Sequence, residues 1–567
     1  MIVRGRQNGS GQGIMADNKR NSAKRDWQAA YDQTVGEERQ RHNRSGIPVK
    51  PLYGPEDWND ARYAEALGYP GQAPMTRGVY ASMHRGRAWS QRQLVGHGTP
   101  QDYNERLQHM LSAGANALNI VMCNSFMRGF DADQVDPVLL GTCGTIVNTL
   151  EDMEIALEGV DIGQTSIGFN DSEPFTLLAM LLALARERGL PWTQIAGTSN
   201  QSDYLSHWAA LHMYSRLPLA AARRVLTDHV LFCNQHLPLW NPISAVGQHT
   251  QQAGANPAEA MAFTIAAGLQ IAEDVIAAGL HPDAFLPRLT FFFDISISFF
   301  EEIAKFRAGR RLWAKLVRER LGARDVRSQR FKFHAQTSGA DLTRQQPYNN
   351  IARTALQGMA GIFGGLQSLH LNGYDEAVSA PTEDAARVAV STANILRDEA
   401  HLADVIDPLG GSYYVETLTD DMEAKIAAII ATIDAAGGMF QATEDGLIQD
   451  MIGRSALEHY QKLESGAEIV VGVNAYQLED GGEAAASLER PVPEAIDKLV
   501  TRLASFKAGR DQGKLRQALG ALARAAGDND LNIYEHVVEV AAAGASHGEI
   551  VSCLQEEMGT GEPLVAA

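Results

Sequence analysis

A chain of 567 residues, 45% of them hydrophobic, is long enough for a large core with flanking pieces. Its formal net charge of −19 argues against a nucleic-acid groove or an anionic membrane as the main partner, although a local basic patch can still hold phosphate. Four cysteines (Cys123, Cys143, Cys233, Cys553) lie far apart with no CxxC pair, so a reducing, cytoplasmic location without disulfides is expected. The best apolar stretch, 177–185, covers only half of the roughly 20 residues a membrane helix needs, and no membrane span is expected.

Residues 1–46 are polar, basic and Gly-containing, which predicts an extended N-terminal arm (domain bounds 1–50), and Met15 is an alternative start. Eight short apolar runs follow, each ending in polar residues: ALNIVM (117–122), TSIGF (165–169), IAGT (195–198), ISAVG (243–247), LTFFF (289–293), FKFH (331–334), LQSLHL (366–371) and ADVI (403–406). Runs of this kind predict strands buried on both faces, opening at their C-terminal ends into a pocket. Between them, 146–158, 173–188, 257–279, 296–321 and 381–398 carry helical periodicity. Strand and helix alternating eight times predicts an α/β fold, a (β/α)8 TIM barrel over 51–416, with an open doubly wound sheet as the alternative. Beyond it, 417–567 reads as a mostly helical region with a loop-rich stretch, 466–492, containing a short strand IVVGVN.

Familiar catalytic patterns give little: no HExxH or P-loop occurs, and His207 and His212 are five apart, which does not stack two metal ligands on one helical face. What remains is a rim of donors and acceptors at the strand ends: Gln248, His249, Gln336, Ser338, His370, Asn372 and Glu376. Such a set suits binding and polarising a substrate, while polar residues after strands also serve simply as helix caps.

The segments YASMHRGRAWSQRQLVGHGT (80–99), LWNPISAVGQHTQQAGA (239–255), FRAGRRLWAKLV (306–317), HAQTSG (334–339), LQSLHLNGYDEA (366–377) and IDPLGGSYYVE (406–416) resemble the large, substrate-binding subunit of the methylmalonyl-CoA mutase family, in order over roughly 50–480. The resemblance implies an isomerase that uses adenosylcobalamin for radical 1,2-migration of the thioester carbonyl in a short acyl-CoA, with the hard chemistry carried by the cofactor. It identifies His249 with the family histidine on the thioester carbonyl. Gln336, Gln367, Asn372 and Glu376 match positions around the deoxyadenosyl group, and Tyr80, Ser82, Met83, Arg87, Ser90, Arg288, Thr290 and Arg327 match the coenzyme A path. Arginines suit that path because a guanidinium grips phosphate in bidentate fashion. No DxHxxG cobalt-ligand signature occurs between 480 and 567. The resemblance therefore implies a separate small cobalamin-binding subunit, a heterotetramer or larger assembly, and a G-protein reactivating chaperone.

Substrate choice is expected from the departures. Leu94 stands where family members carry Tyr, Phe or Ile, leaving room for a more branched acyl carbon. No arginine occupies 210–212, where a malonyl carboxylate would be read, although His212 could substitute if charged. Val121 replaces an Asp that accepts a substrate hydroxyl in 2-hydroxyisobutyryl enzymes, and Gln248 replaces the usual Tyr before the histidine. The first expectation is a branched acyl-CoA without a second carboxylate, of the pivalyl or isovaleryl type. The alternative is 2-hydroxyisobutyryl-CoA/3-hydroxybutyryl-CoA, with Cys123, Asn124 or Gln248 holding the hydroxyl. Methylmalonyl-CoA and a non-catalytic acyl-CoA-binding scaffold rank below these.

Overall fold

The structure, a computed structural model, describes residues 41–53, 56–92, 96–112, 117–211, 216–478 and 490–561, with isolated positions before residue 41. Leu94, His212 and nearly all of the N-terminal arm lie outside the described residues. The chain divides at Leu52/Tyr53 into two units. Within the first, β1 (Arg41–His42) pairs antiparallel with β2 (Pro48–Val49), and the turn between them is held by the Ile47 N–H donating to Asn43 Oδ1 at 2.9 Å.

The second unit carries nine strands among its described residues: β3 (Ser90–Gln91), β4 (Leu118–Val121), β5 (Ile167–Asn170), β6 (Gly197–Asn200), β7 (Trp240–Asn241), β8 (Ile243–Val246), β9 (Leu289–Ile295), β10 (Phe333–Thr337) and β11 (Ser368–His370). They form two sheets in the orders β4-β5-β6-β7 and β3-β11-β10-β9-β8, and every pairing is parallel. Parallel strands need covered faces and long crossovers, which the intervening helices supply. Pro242 separates β7 from β8. Lacking an N–H, it interrupts the ladder just where the chain leaves β6 and joins β9. The sheets are stitched at this margin by Ser244 Oγ donating to Asn200 Oδ1 (3.3 Å) and at the other by Arg92 donating to the Leu118 carbonyl (3.0 Å).

Seven of the eight predicted runs are strands. The eighth, 403–406, forms turns instead: Val405 is 60% exposed, and Asp407 just beyond has φ of 47° and is held by Arg77 and the buried Arg307. A four-residue run containing Asp404 had too little apolar surface to enter a sheet. The eighth place belongs to β3, two polar residues that no apolar run announces, aligned on β11 through Ser368↔Ser90. The predicted strand in IVVGVN is likewise only an isolated bridge, Val471↔Ala475.

Helix Pro257–Ala277 corrects a further expectation, because its 21 residues at mean hydropathy 1.4 are long and apolar enough to cross a membrane. It is mostly buried, packed against β8 and the helices Phe299–Glu319 and Tyr413–Ala435, as the core helix of a layered α/β fold would be. The outward face of the sheets meets these helices through aromatic rings: Phe291 on Phe331 (4.0 Å), Phe306 on Phe333 (4.4 Å) and Phe291 edge-on to Trp313 (4.9 Å). Helix Phe299–Glu319 also buries charge. Arg307 bonds both Asp407 and Glu416, tying this helix to the loop after residue 400 and to helix Tyr413–Ala435. Removing one partner of such a group leaves buried carboxylates uncompensated, so Arg307→Met is expected to cost about 3–5 kcal/mol in denaturant unfolding.

Candidate active site

In parallel sheets every second side chain faces the same way. The register places Asn119, Gly168, Thr198 and Asn241 in one row across β4 to β7, and Ser90, Ser368, His334 and Phe292 in one row across β3 to β9. The next row of the first sheet holds Val121, Asn170 and Asn200. This face is polar where a parallel barrel ordinarily packs Val, Ile and Leu. Asn170 Oδ1 accepts from Asn119 (2.6 Å) and Asn200 (3.2 Å), and Ser244 bonds Asn200 in turn, while Asn119 Oδ1 stays unbonded.

A cavity of about 260 Å³ opens along this face, lined from one sheet by Thr198, Asn200 and Asn241 and from the other by Ser90, Thr290, His334 and Ser368. It shares Tyr80, Ser90 and Gln367 with a second cavity of about 470 Å³, lined also by Ser82, Met83, His84, Arg87 and Trp89. Both lie toward the N-terminal ends of the strands. Met83 adopts φ of 39°, strain of the kind found where a loop serves a site. His84 donates to the Leu366 carbonyl at 2.7 Å and stands edge-on to Trp89, holding this loop to the chain before β11.

Cations gather at this mouth: Arg87, Lys332, and Arg330 stacked 5.1 Å from the Tyr80 ring. Burial, then the neighbouring Arg330 and Arg288, pulls Lys332 down to about 8. Arg92 is half-buried in the cavity wall, bonded to the Leu118 carbonyl and Ser166 Oγ, and desolvation lowers it to about 10.

At the opposite, C-terminal ends of the strands stand Gln248 and His249, following β8 in helix Gln248–Gln252. His249 Nδ1 lies 3.1 Å from Ser206 Oγ, and the His207 ring packs against the His249 ring at 4.5 Å. Gln248 is buried with its Oε1 unbonded. Asp294, near the end of β9, accepts from Gln252 at 3.2 Å, and burial raises it to about 7.

Gly339 sits among Asn372, Gln252 and Glu376; a Cβ there would come within 3.3 Å of Asn372 Nδ2 and 3.9 Å of Glu376 Cγ. Burial, then Asp375, raises Glu376 to about 7, so near neutral pH its carboxyl both donates and accepts. With Gln336 paired in register with His370, two residues before Asn372, the set offers the amide and carboxyl groups that ribose hydroxyls and an adenine edge require. These residues fit the adenosyl part of a nucleoside-bearing cofactor.

The predicted residues therefore separate into two ends. Tyr80, Ser82, Met83, Arg87, Ser90 and Thr290 come together at the N-terminal mouth, while Gln248, His249, Gln336, Asn372 and Glu376 follow the C-terminal ends. Gln367, expected with the adenosyl set, lines the mouth instead, its amide spent on the Phe333 N–H and the Gly365 carbonyl. Arg288 is half-buried and clasps the Cys233 and Leu237 carbonyls and Asn234, closing a helix end rather than facing the cavity. Arg327 is exposed, pairs with Asp325 and lines neither cavity, whereas Arg330 does face Tyr80. Cys123 leaves the acyl wall as well: its sulfur accepts the Gly141 N–H, and it packs in a core with Ile496, Leu499 and Leu503 of the C-terminal helix Pro493–Gly509. Val121 ends β4 against Gly96, where a Cβ would come within 3.0 Å of its own. Ser206, Arg92, Arg330 and Lys332 are the residues that sequence reasoning missed, and His207, weighed there only as a metal ligand, packs on the His249 ring.

A parallel α/β chain with a polar cavity between its sheets, cations at its N-terminal mouth and a separate cluster of amide, imidazole and carboxyl groups at the C-terminal ends of the strands has the parts of an enzyme site. The methylmalonyl-CoA mutase family model matches residues 42–560, and the chain belongs to that family of isomerases. It is 37% identical to the 2-hydroxyisobutanoyl-CoA mutase large subunit of Aquincola tertiaricarbonis over 546 residues, covering 95% of this chain and 96% of that one. It is also 37% identical to the mitochondrial methylmalonyl-CoA mutase of Mus musculus over 524 residues, covering 91% of this chain and 69% of that one. The family uses adenosylcobalamin.

Lys332 carries charge only below its lowered value. Coenzyme A is thus expected to bind more weakly as pH rises through about 8, and Lys332→Met to remove that dependence, as read by calorimetric titration.

Proposed function

We propose that the chain is the large subunit of an adenosylcobalamin-dependent acyl-CoA mutase, built on a closed eight-position barrel, that moves the thioester carbonyl between neighbouring carbons of a branched short acyl-CoA lacking a free carboxylate. The observation that carries this is the channel lined from both sheets by hydroxyls, amides and imidazole, with Arg87, Arg330 and Lys332 at its mouth. Coenzyme A has the complementary shape: phosphates at one end and a slender arm carrying two amides. Phosphates would rest at the cations, the arm would run past Ser90, Thr290 and Ser368, and the thioester would arrive beside His249.

When bound, adenosylcobalamin supplies the radical that takes and returns a substrate hydrogen. Gln336, Asn372 and Glu376 would hold its adenosyl group. His249 would hydrogen-bond the thioester oxygen as charge develops there, and the buried setting strengthens that bond and keeps water from a reactive species. The cobalt ligand would come from a small subunit, a reading supported by the words "large subunit" in the name of the Aquincola relative. A heterotetrameric or larger assembly and a reactivating G-protein chaperone belong to the same proposal, as does a cytoplasmic location.

Substrate class follows from charge. Arg216, the buried arginine nearest in sequence to the acyl wall, is spent on the Met127 and Glu173 carbonyls and on Asp171. A second substrate carboxylate would then be buried without a partner, a heavy desolvation cost. The second reading, a 2-hydroxyisobutyryl substrate, is favoured by Gln248, whose buried Oε1 can accept from a hydroxyl.

Combining the chain with a small cobalamin-binding subunit, adenosylcobalamin and a panel of acyl-CoAs decides between these. Pivalyl- or isovaleryl-CoA is expected to turn over faster than methylmalonyl-CoA; the reverse order would overturn the substrate assignment. Dominant turnover of 2-hydroxyisobutyryl-CoA, abolished selectively by Gln248→Leu, would establish the second reading. Leu94→Phe is expected to narrow acceptance toward less branched chains, measured as the ratio of kcat/KM values; an unchanged ratio would remove position 94 from the acyl wall.

A further inference from the structure

The histidine beside the thioester is held by a buried hydroxyl whose proton is already committed. Helix Tyr204–Ala209 begins at Asp203, whose Oδ1 accepts the Leu205 and Ser206 N–H groups at 2.8 and 3.3 Å and whose Oδ2 accepts the Val246 N–H of β8 at 3.2 Å. One carboxylate thus fixes this helix to the strand that ends three residues before His249. Ser206 Oγ donates to the Asp203 carbonyl at 3.0 Å and lies 3.1 Å from His249 Nδ1. Ser206 and His249 are each 2% exposed, so bulk water does not compete for these bonds.

A hydroxyl has one proton and a carbonyl can only accept. While Ser206 donates to Asp203, its contact with His249 is a bond only if Nδ1 carries the hydrogen. A neutral ring so held has a bare Nε2, which cannot donate to a carbonyl oxygen. Turning the hydroxyl toward Nδ1 would reverse this at the cost of the bond to Asp203. His207, tethered by Nε2 to the Gln201 carbonyl at 3.0 Å, packs on the His249 ring and limits a flip that would exchange the nitrogens.

We infer that Ser206 is a positioning residue for His249: it holds the proton on Nδ1, so that the ring donates to the substrate thioester from Nε2 only as an imidazolium. This rests on the acyl-CoA mutase reading for its substrate, but not for its geometry. Ser206→Ala leaves the Asp203 cap intact, because that cap uses the carboxylate and not the hydroxyl.

Two measurements test it. In the chain labelled with [15N]histidine, with His249→Ala used for assignment, the neutral His249 ring is expected to be protonated at Nδ1, and in Ser206→Ala the hydrogen spreads to Nε2. A neutral ring protonated at Nε2 in the wild type overturns the inference. In the assembled enzyme, Ser206→Ala is expected to lower kcat about tenfold or more with KM little changed. Ser206→Thr, which keeps the hydroxyl, should restore most of the rate, and Ser206→Ala should add nothing in a His249→Ala background. Multiplying rather than saturating effects in that double variant would show that Ser206 does not act through His249. A wild type without turnover whose spectra show Nδ1–H would overturn the proposed function and support the positioning.

Discussion

The inward face of the two parallel sheets is polar, and much of the rest of the structure follows from that constraint. Amides, hydroxyls and imidazoles at Asn119, Asn170, Asn200, Ser244, Thr290, His334 and Ser368 cannot be sealed into a dry core without partners. The Asn119–Asn170–Asn200–Ser244 chain supplies some of those partners from within. Elsewhere the face stays open and lines a cavity. What the interior forgoes in apolar packing is made up outside the sheets, where the rings of Phe291, Phe293, Phe306, Trp313, Phe331 and Phe333 stack against one another.

Two kinds of chemistry stand at opposite ends of the strands. Cations collect at the N-terminal mouth, where a phosphate would be met, and groups that are neutral or shared in charge stand at the other end: Glu376 and Asp294 both near 7, His370 pulled down to about 4 by burial. A site of this character binds and screens more than it shuttles protons, as expected where a cofactor carries the reaction. The C-terminal helices belong to the same arrangement. His547 is stacked on Phe126 at 3.6 Å, bonds the Phe126 carbonyl and Thr176, and so clamps the loop after β4.

Seven strands were legible because each is a compact apolar run, and the crossover helices because their periodicity is long and regular. β3 was not legible, since Ser90–Gln91 is a strand only by virtue of its neighbour β11, and 403–406 misled because a short run with little apolar surface lies beside Asp407, which Arg77 and Arg307 hold. The polar channel was written in the sequence all along. Within the apolar runs, Asn119, Gly168, Thr198, Ser244, Thr290, His334 and Ser368 fall on one parity, a two-residue period hidden by reading each run as uniformly buried. Of the site, the motif-bearing residues were placed by resemblance, but the roles of Arg288 and Gln367 depended on backbone carbonyls and N–H groups that a sequence does not display. Ser206 carries no pattern of its own and His207 was weighed only as a metal ligand; their place became visible when helix Tyr204–Ala209 was set beside His249.

The central claim is that an acyl-CoA threads the space between the sheets from the N-terminal ends of the strands toward His249. A structure of this chain with a non-hydrolysable coenzyme A thioester tests it most directly. The account predicts phosphates at Arg87, Arg330 and Lys332, the arm between Ser90, Thr290 and Ser368 on one side and Thr198 and Asn241 on the other, and the thioester carbonyl within hydrogen-bonding reach of His249. Coenzyme A bound outside the sheets, or entering from the C-terminal ends with the channel empty, would contradict it.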